Sequence, residues 1–124
     1  MTRWTTDELT RIGDAEVLQI ASQRPDGTLR RFITIWVVRS GDDLYVRSAY
    51  GYANTWFQRC LTAGQGRIRA AGLERDVTFD VPDPGVDAGV DAAYHAKYDR
   101  HGPRVVGTVV SAEAARSTLR LVPR

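Results

Sequence analysis

Cysteine, methionine and lysine are almost missing from this 124-residue chain: Cys60, Met1 and Lys97 are its single examples. A lone cysteine excludes an intramolecular disulfide and any metal site built from cysteines. No apolar run approaches the roughly 18 residues that a bilayer-spanning helix needs, and the first residues lack an apolar signal-peptide core, so the expectation is a cytoplasmic protein with no membrane contact. The HExxH, GxSxG, Walker and dinucleotide-glycine patterns are absent, which removes the motif-defined hydrolases, metalloproteases and nucleotide-binding folds. Nucleic-acid recognition lacks its signatures as well: there is no zinc finger, basic helix or aromatic RNA-binding motif. His95 and His101 stand six residues apart, a spacing that makes neither a metal pair nor a catalytic dyad, and no metal is expected.

What is present describes one globular domain over residues 1–124, with 43% hydrophobic, 9% aromatic and 26% charged residues. Folding at this length buries roughly two-thirds of the unfolded surface, enough for one proper core. The formal charge is only +2, yet all basic residues except Lys97 are arginines. Residues 24–75 hold nine arginines against four acids, whereas residues 82–101 hold four acids against Lys97 and Arg100. Positive field therefore concentrates over the middle of the chain, in an amount that suits a small anionic or aromatic ligand better than a polyphosphate backbone.

Periodicity supplies the elements. Thr6, Asp7 and Glu8 open a short helix reaching about Gly13, with Thr6 as the expected cap. Residues 16–24 alternate as a strand, and Pro25, Asp26, Gly27 and Thr28 turn it back. Residues 31–39 are β-branched and aromatic on both parities, so they predict one long strand covered on both faces. A turn at residues 40–43 leads to a strand over 44–49. Asn54 then introduces a helix whose Trp56, Phe57, Cys60 and Leu61 recur at helical spacing until Ala63 and Gly64 end it. Strands at 66–70 and 74–81 form a hairpin with one wet face: Asp76, Thr78 and Asp80 point one way and Val77, Phe79 and Val81 the other. A stripe at Val86, Val90, Ala93, Tyr94, Lys97 and Tyr98 predicts a second long helix; residues 105–110 suggest a strand, 111–116 a helical turn and 119–122 a closing strand. This order in so short a chain fits a mainly β, α+β fold: a small antiparallel barrel with helices packed over its openings.

The richest segment is residues 46–57, where a strand ends at Ser48, crosses a loop containing Tyr50, Gly51 and Asn54, and enters a helix with Trp56 in its first turn. It resembles the FMN-binding split-barrel proteins, in particular the deazaflavin-dependent nitroreductases. The resemblance covers about residues 15–82 in order of elements. It implies a split β-barrel, a homodimer, an FMN or deazaflavin coenzyme, and reduction of a small organic substrate. By the same resemblance the phosphate falls to Ser48, Tyr50 and Gly51 with help from nearby arginines, and Arg30, Arg31, Arg47, Arg59, Arg67 and Arg69 are the candidate phosphate or carboxylate ligands. The ring falls to the strand carrying Thr34 and Trp36, with Asn54 and Trp56 nearby. Arg59 stands where the nitroreductases carry Asn, and Ala63 and Gly64 replace the Asn-Pro of flavin-binding relatives. No catalytic residue is assigned. Independently of any family, a glycine loop feeding a helix start is a ready anion site.

Plain structural readings compete at each position. Trp56, Phe57 and Cys60 suit a helix core; Trp36 suits packing or a subunit interface as well as a stacking platform. Arg67 and Arg69 have Glu74, Asp76 or Asp80 available across their hairpin. Tyr94 and Tyr98, four apart, either line a substrate pocket or close the core. The alternative function is a cofactor-free barrel that binds a metabolite, with a cofactor-independent isomerase or cyclase using Tyr94, Tyr98 or His95 as a third.

Overall fold

The computed structural model describes residues 3–124. Thr5, one residue earlier than expected, caps helix α1 (Thr6–Asp14): its hydroxyl accepts from the Glu8 amide while the Glu8 carboxylate accepts from the Thr5 amide. Seven strands follow in one antiparallel sheet: β1 (Leu18–Ser22), β2 (Ile33–Ile35), β3 (Val38–Ser40), β4 (Asp43–Val46), β5 (Gln65–Ala70), β6 (Leu73–Asp80) and β7 (Leu119–Pro123). Their lateral order is β2-β1-β5-β6-β7-β4-β3.

That order explains the barrel. The two edges, β2 and β3, are consecutive in sequence and separated only by Trp36 and Val37, so the sheet must curl until its edges nearly meet. Residues 33–40 amount to one kinked strand whose first half pairs with β1 (Ile20↔Ile33) and whose second half pairs with β4 (Val38↔Tyr45). The single strand expected over residues 31–39 is therefore two, and its halves meet different surroundings. Val37 and Val38 point to opposite faces and are both fully buried, as expected, whereas Ile33 and Thr34 are exposed. The result is a split barrel.

Two apolar clusters hold it. The larger fills the barrel with Leu18, Ile20, Leu44, Val46, Ile68, Val77, Phe79, Leu119 and Leu121, joined by Leu9 and Ile12 of α1 and by Trp56 and Phe57 of helix α2 (Thr55–Ala63). Asn54 caps α2 through the Trp56 amide, and Gly64 ends it at φ 72°. The smaller cluster lies outside the barrel, where Val38 and Tyr45 meet Val90, Tyr94 and Tyr98 of helix α3 (Asp87–Tyr98) and Val106 and Val109 of helix α4 (Pro103–Val110). The expected strand at 105–110 is thus a helix: Pro103 suits its first turn, and Val106 and Val109 share its buried face. A short helix α5 (Ala112–Ala115) leads to β7. The β5–β6 hairpin turns through Ala71 and Gly72, both at positive φ, and keeps the wet outer face that its alternation predicts; Val81 falls beyond β6 and is exposed. Among the described residues no helix is long and apolar enough to cross a membrane.

Candidate functional site

Three clefts run on from one another along β2 and the start of α2. The first, of about 550 Å³, has walls from β2 and its extension (Ile33, Thr34, Ile35, Trp36), from the loop after β4 (Ala49, Tyr50, Asn54), from Trp56, and from α4 (Arg104, Val105, Thr108, Val109). Its size suits a small-molecule site and its walls are mostly apolar. The second, of about 250 Å³, shares Ile33 and Trp56 with the first and adds Arg30, Arg31, Arg59 and Cys60. The third, of about 590 Å³, shares Arg30 and Arg59 and continues past Arg24, Gln23, Gln58 and Gln65. No aspartate or glutamate lines any of them. Chain geometry thus sets an apolar chamber beside a basic one.

Charge pairing distinguishes the arginines. Among the described residues no carboxylate lies within ion-pair distance of Arg30, Arg31, Arg59 or Arg104. Arg47 is the reverse: its side chain is fully buried, it bonds the Thr118 hydroxyl and the Val109 carbonyl at 2.9 Å each, and it pairs with Asp91 and, at 3.5 Å, with Asp87. It ties the end of β4 to α3, α4 and the start of β7, and four of its five N–H donors have partners. On the hairpin, Arg67 bonds Asp76 at 2.8 Å and Arg69 bonds Glu74 at 2.7 Å, while the Arg69 guanidinium lies 3.9 Å over the Phe32 ring. The cross-hairpin reading of these two holds.

The predicted loop is occupied by its own chain. Ser48 is fully buried, its amide donates to the Ser117 hydroxyl at 2.8 Å, and its own hydroxyl has no partner. Gly51, at φ 85°, donates its amide to the Ser48 carbonyl and is packed so closely that a Cβ would meet the Glu113 carboxylate at 2.6 Å. Neither lines a cleft, whereas Tyr50 and Asn54 do.

Tyr94 and Tyr98 are fully buried in the outer cluster and also line no cleft. Tyr98 stacks flat against Trp36, ring centroids 3.9 Å apart and planes 2° from parallel, so it supports the cleft wall from behind. Its hydroxyl lies within hydrogen-bonding distance of both the amide and the carbonyl of Val37, and burial pushes its pKa up to about 12. Burial likewise raises the Tyr94 hydroxyl, which has no partner, and pushes the Cys60 thiol up to about 12, far from a ready nucleophile. His95 is exposed and bonded to Asp99. Among the described residues no three His, Cys, Asp or Glu side chains gather as a metal site.

Sequence reasoning brought Arg30, Arg31, Thr34, Trp36, Tyr50, Asn54, Trp56 and Arg59 to one continuous groove and missed the α4 wall, including Arg104. The available signal was Pro103 followed by valines three apart, a helix start that the dense valines obscured.

No curated protein matches the chain. Among solved structures, a proposed pyridoxamine 5'-phosphate oxidase of Listeria innocua superposes with TM-score 0.64 at 13% identity, over 94% of this chain and 90% of that one. An FAD-binding protein of Mesorhizobium loti gives 0.55 at 14% identity, over 97% and 88%. An F420 reductase gives 0.51 at 15% identity, over 93% and 90%. At such identities these likenesses establish the shared split-barrel fold alone. Residues 8–121 match the family model described as an uncharacterized protein conserved in bacteria, DUF2255, and the chain belongs to that family.

Proposed function

We propose that this protein is a cytoplasmic split-barrel oxidoreductase that binds FMN or a deazaflavin coenzyme and reduces a small organic substrate. The observation that carries this reading is the acid-free groove in which an apolar chamber walled by Trp36 and Trp56 opens onto Arg30, Arg31 and Arg59, three guanidiniums without a partner among the described residues. A flat ring with an anionic tail matches both halves. Thr34, Ile35 and Trp36 would take the ring, and the three arginines would take the phosphate in place of the amides of Ser48 and Gly51, which are engaged internally. When bound, such a cofactor supplies hydride transfer. The chain's own part is to hold the ring against a rigid wall, fixed by the Trp36–Tyr98 stack, and to exclude water with α4.

The reading includes a homodimer. Edge strand β2 leaves Ile33 36% exposed and Thr34 exposed, an unpaired edge that a second copy can cover. Light scattering on the purified protein tests it, with a monomer mass at micromolar concentration counting against it.

Titration with FMN and with the deazaflavin coenzyme tests the main claim. The expected result is saturable quenching of tryptophan fluorescence by at least one of them, diminished in Trp36→Phe. Absence of quenching by both overturns it. The internally engaged loop amides favour a second reading, a cofactor-free binding barrel, which expects that null result together with binding of small aromatic acids.

A further inference from the structure

The apolar chamber contains a cation that the cofactor does not use. Arg104 occupies the first turn of α4 and lines the chamber beside Val105, Thr108 and Val109. Arg104 is exposed to solvent, and the chain offers it no counter-charge: no acid lines the chamber, none among the described residues pairs with it, and α4 has neither an acid in its first turn nor a side-chain cap. The helix dipole makes the first turn an unfavourable place for a cation, so the chain keeps an uncompensated guanidinium where its own electrostatics oppose it. Arg47, the chamber's other cation, has its charge paired with Asp87 and Asp91 and also bonds Thr118 and the Val109 carbonyl. Thr108 spends its hydroxyl proton on the Val105 carbonyl at 2.6 Å. Among the described residues, Arg104 is therefore the one cation lining the chamber that has no acid partner.

We propose that the chamber selects substrates that are flat, apolar carboxylic acids, with the carboxylate paired to Arg104 and the apolar body against Val105 and Val109 of α4, leaving the Trp36 wall to the ring. The inference rests on the chamber being the substrate site of the proposed reductase and names the class of molecule it takes. Arg104 acts here as a specificity residue, since its fork of donors matches a carboxylate and leaves an amide of the same shape without a charge partner.

The test compares trans-cinnamate with trans-cinnamamide by quenching of tryptophan fluorescence in the purified protein. The acid is expected to bind about fivefold or more tightly than the amide, a preference that shrinks with added salt. In Arg104→Gln the ratio falls to about one with the affinity for the amide unchanged, and Arg104→Lys retains part of it. Equal affinities in the unmodified protein, or a preference that survives Arg104→Gln, overturn the inference. Cofactor titrations on the same samples separate the two claims: cofactor binding without acid preference sinks this one alone. Acid preference without binding of either cofactor supports the acid site and overturns the reductase.

Discussion

This barrel carries two populations of arginine. On the hairpin and at the junction of β4 with α3, Arg47, Arg67 and Arg69 each have a carboxylate partner; along β2, α2 and α4, Arg30, Arg31, Arg59 and Arg104 have none among the described residues. Residue type is the same and composition cannot separate them. The difference lies in whether the fold supplies the counter-charge or leaves it to a ligand. A guanidinium with an internal acid is architecture, whereas one left open in an acid-free concavity is a binding group.

The sharpest way to break this contrast is at Arg47. Arg47→Ala leaves Asp87 and Asp91 unpaired beside a new void between β4, α3 and α4, and should cost about 3 kcal/mol in urea unfolding. A loss below about 1 kcal/mol would remove the clamp from the account. On the other side, Arg31→Ala or Arg59→Ala should each weaken binding of the ring cofactor about tenfold while leaving unfolding within about 0.5 kcal/mol of the parent. A change in stability without a change in affinity would invert the comparison.

Lys97 tests the intermediate case of a half-buried cation without a carboxylate partner, its ammonium donating to the Val37 carbonyl at 2.6 Å. Burial lowers its pKa from 10.5 to about 8. Between those values the unfolded chain keeps a proton that the native chain has lost, so rising pH relieves a cost of folding that is present in full below about pH 8. Lys97→Met should therefore raise the urea midpoint at pH 7, with an advantage that fades as pH climbs from 8 to 10.5. An advantage independent of pH would assign the gain to packing alone. The smallest effect belongs to the exposed pairs: Arg67→Ala should cost under about 1 kcal/mol, less in high salt, and leave cofactor binding unchanged.

Local chemistry was legible in the sequence and distant pairing was not. The Asn54 cap, the buried stripe of α2 and the β5–β6 hairpin with its arginines facing Glu74 and Asp76 all depend on residues within about ten positions. The split of residues 31–39 depends on which neighbour each half meets, β1 or β4, and apolar residues on both parities carry no such information. The engaged amide of Ser48 depends on Ser117 and the buried charge of Arg47 on Thr118, each about 70 residues away. For the site, the arginines beside β2 were readable as a local excess of charge. The α4 wall was not read, because valines serve helix and strand alike until Pro103 is given its weight.

The lateral position of β7 also bears on synthesis. This strand fills the gap between β6 and β4, pairing Phe79↔Leu121 on one side and Leu44↔Leu121 on the other. At roughly 5–20 residues per second, a ribosome that has finished β6 needs on the order of 2 to 9 s to deliver β7. Throughout that interval the nascent chain carries two hairpin systems with facing unsatisfied edges and no strand to join them. Closure waits for the last strand, and a chaperone that shields open strand edges would find its client in this window.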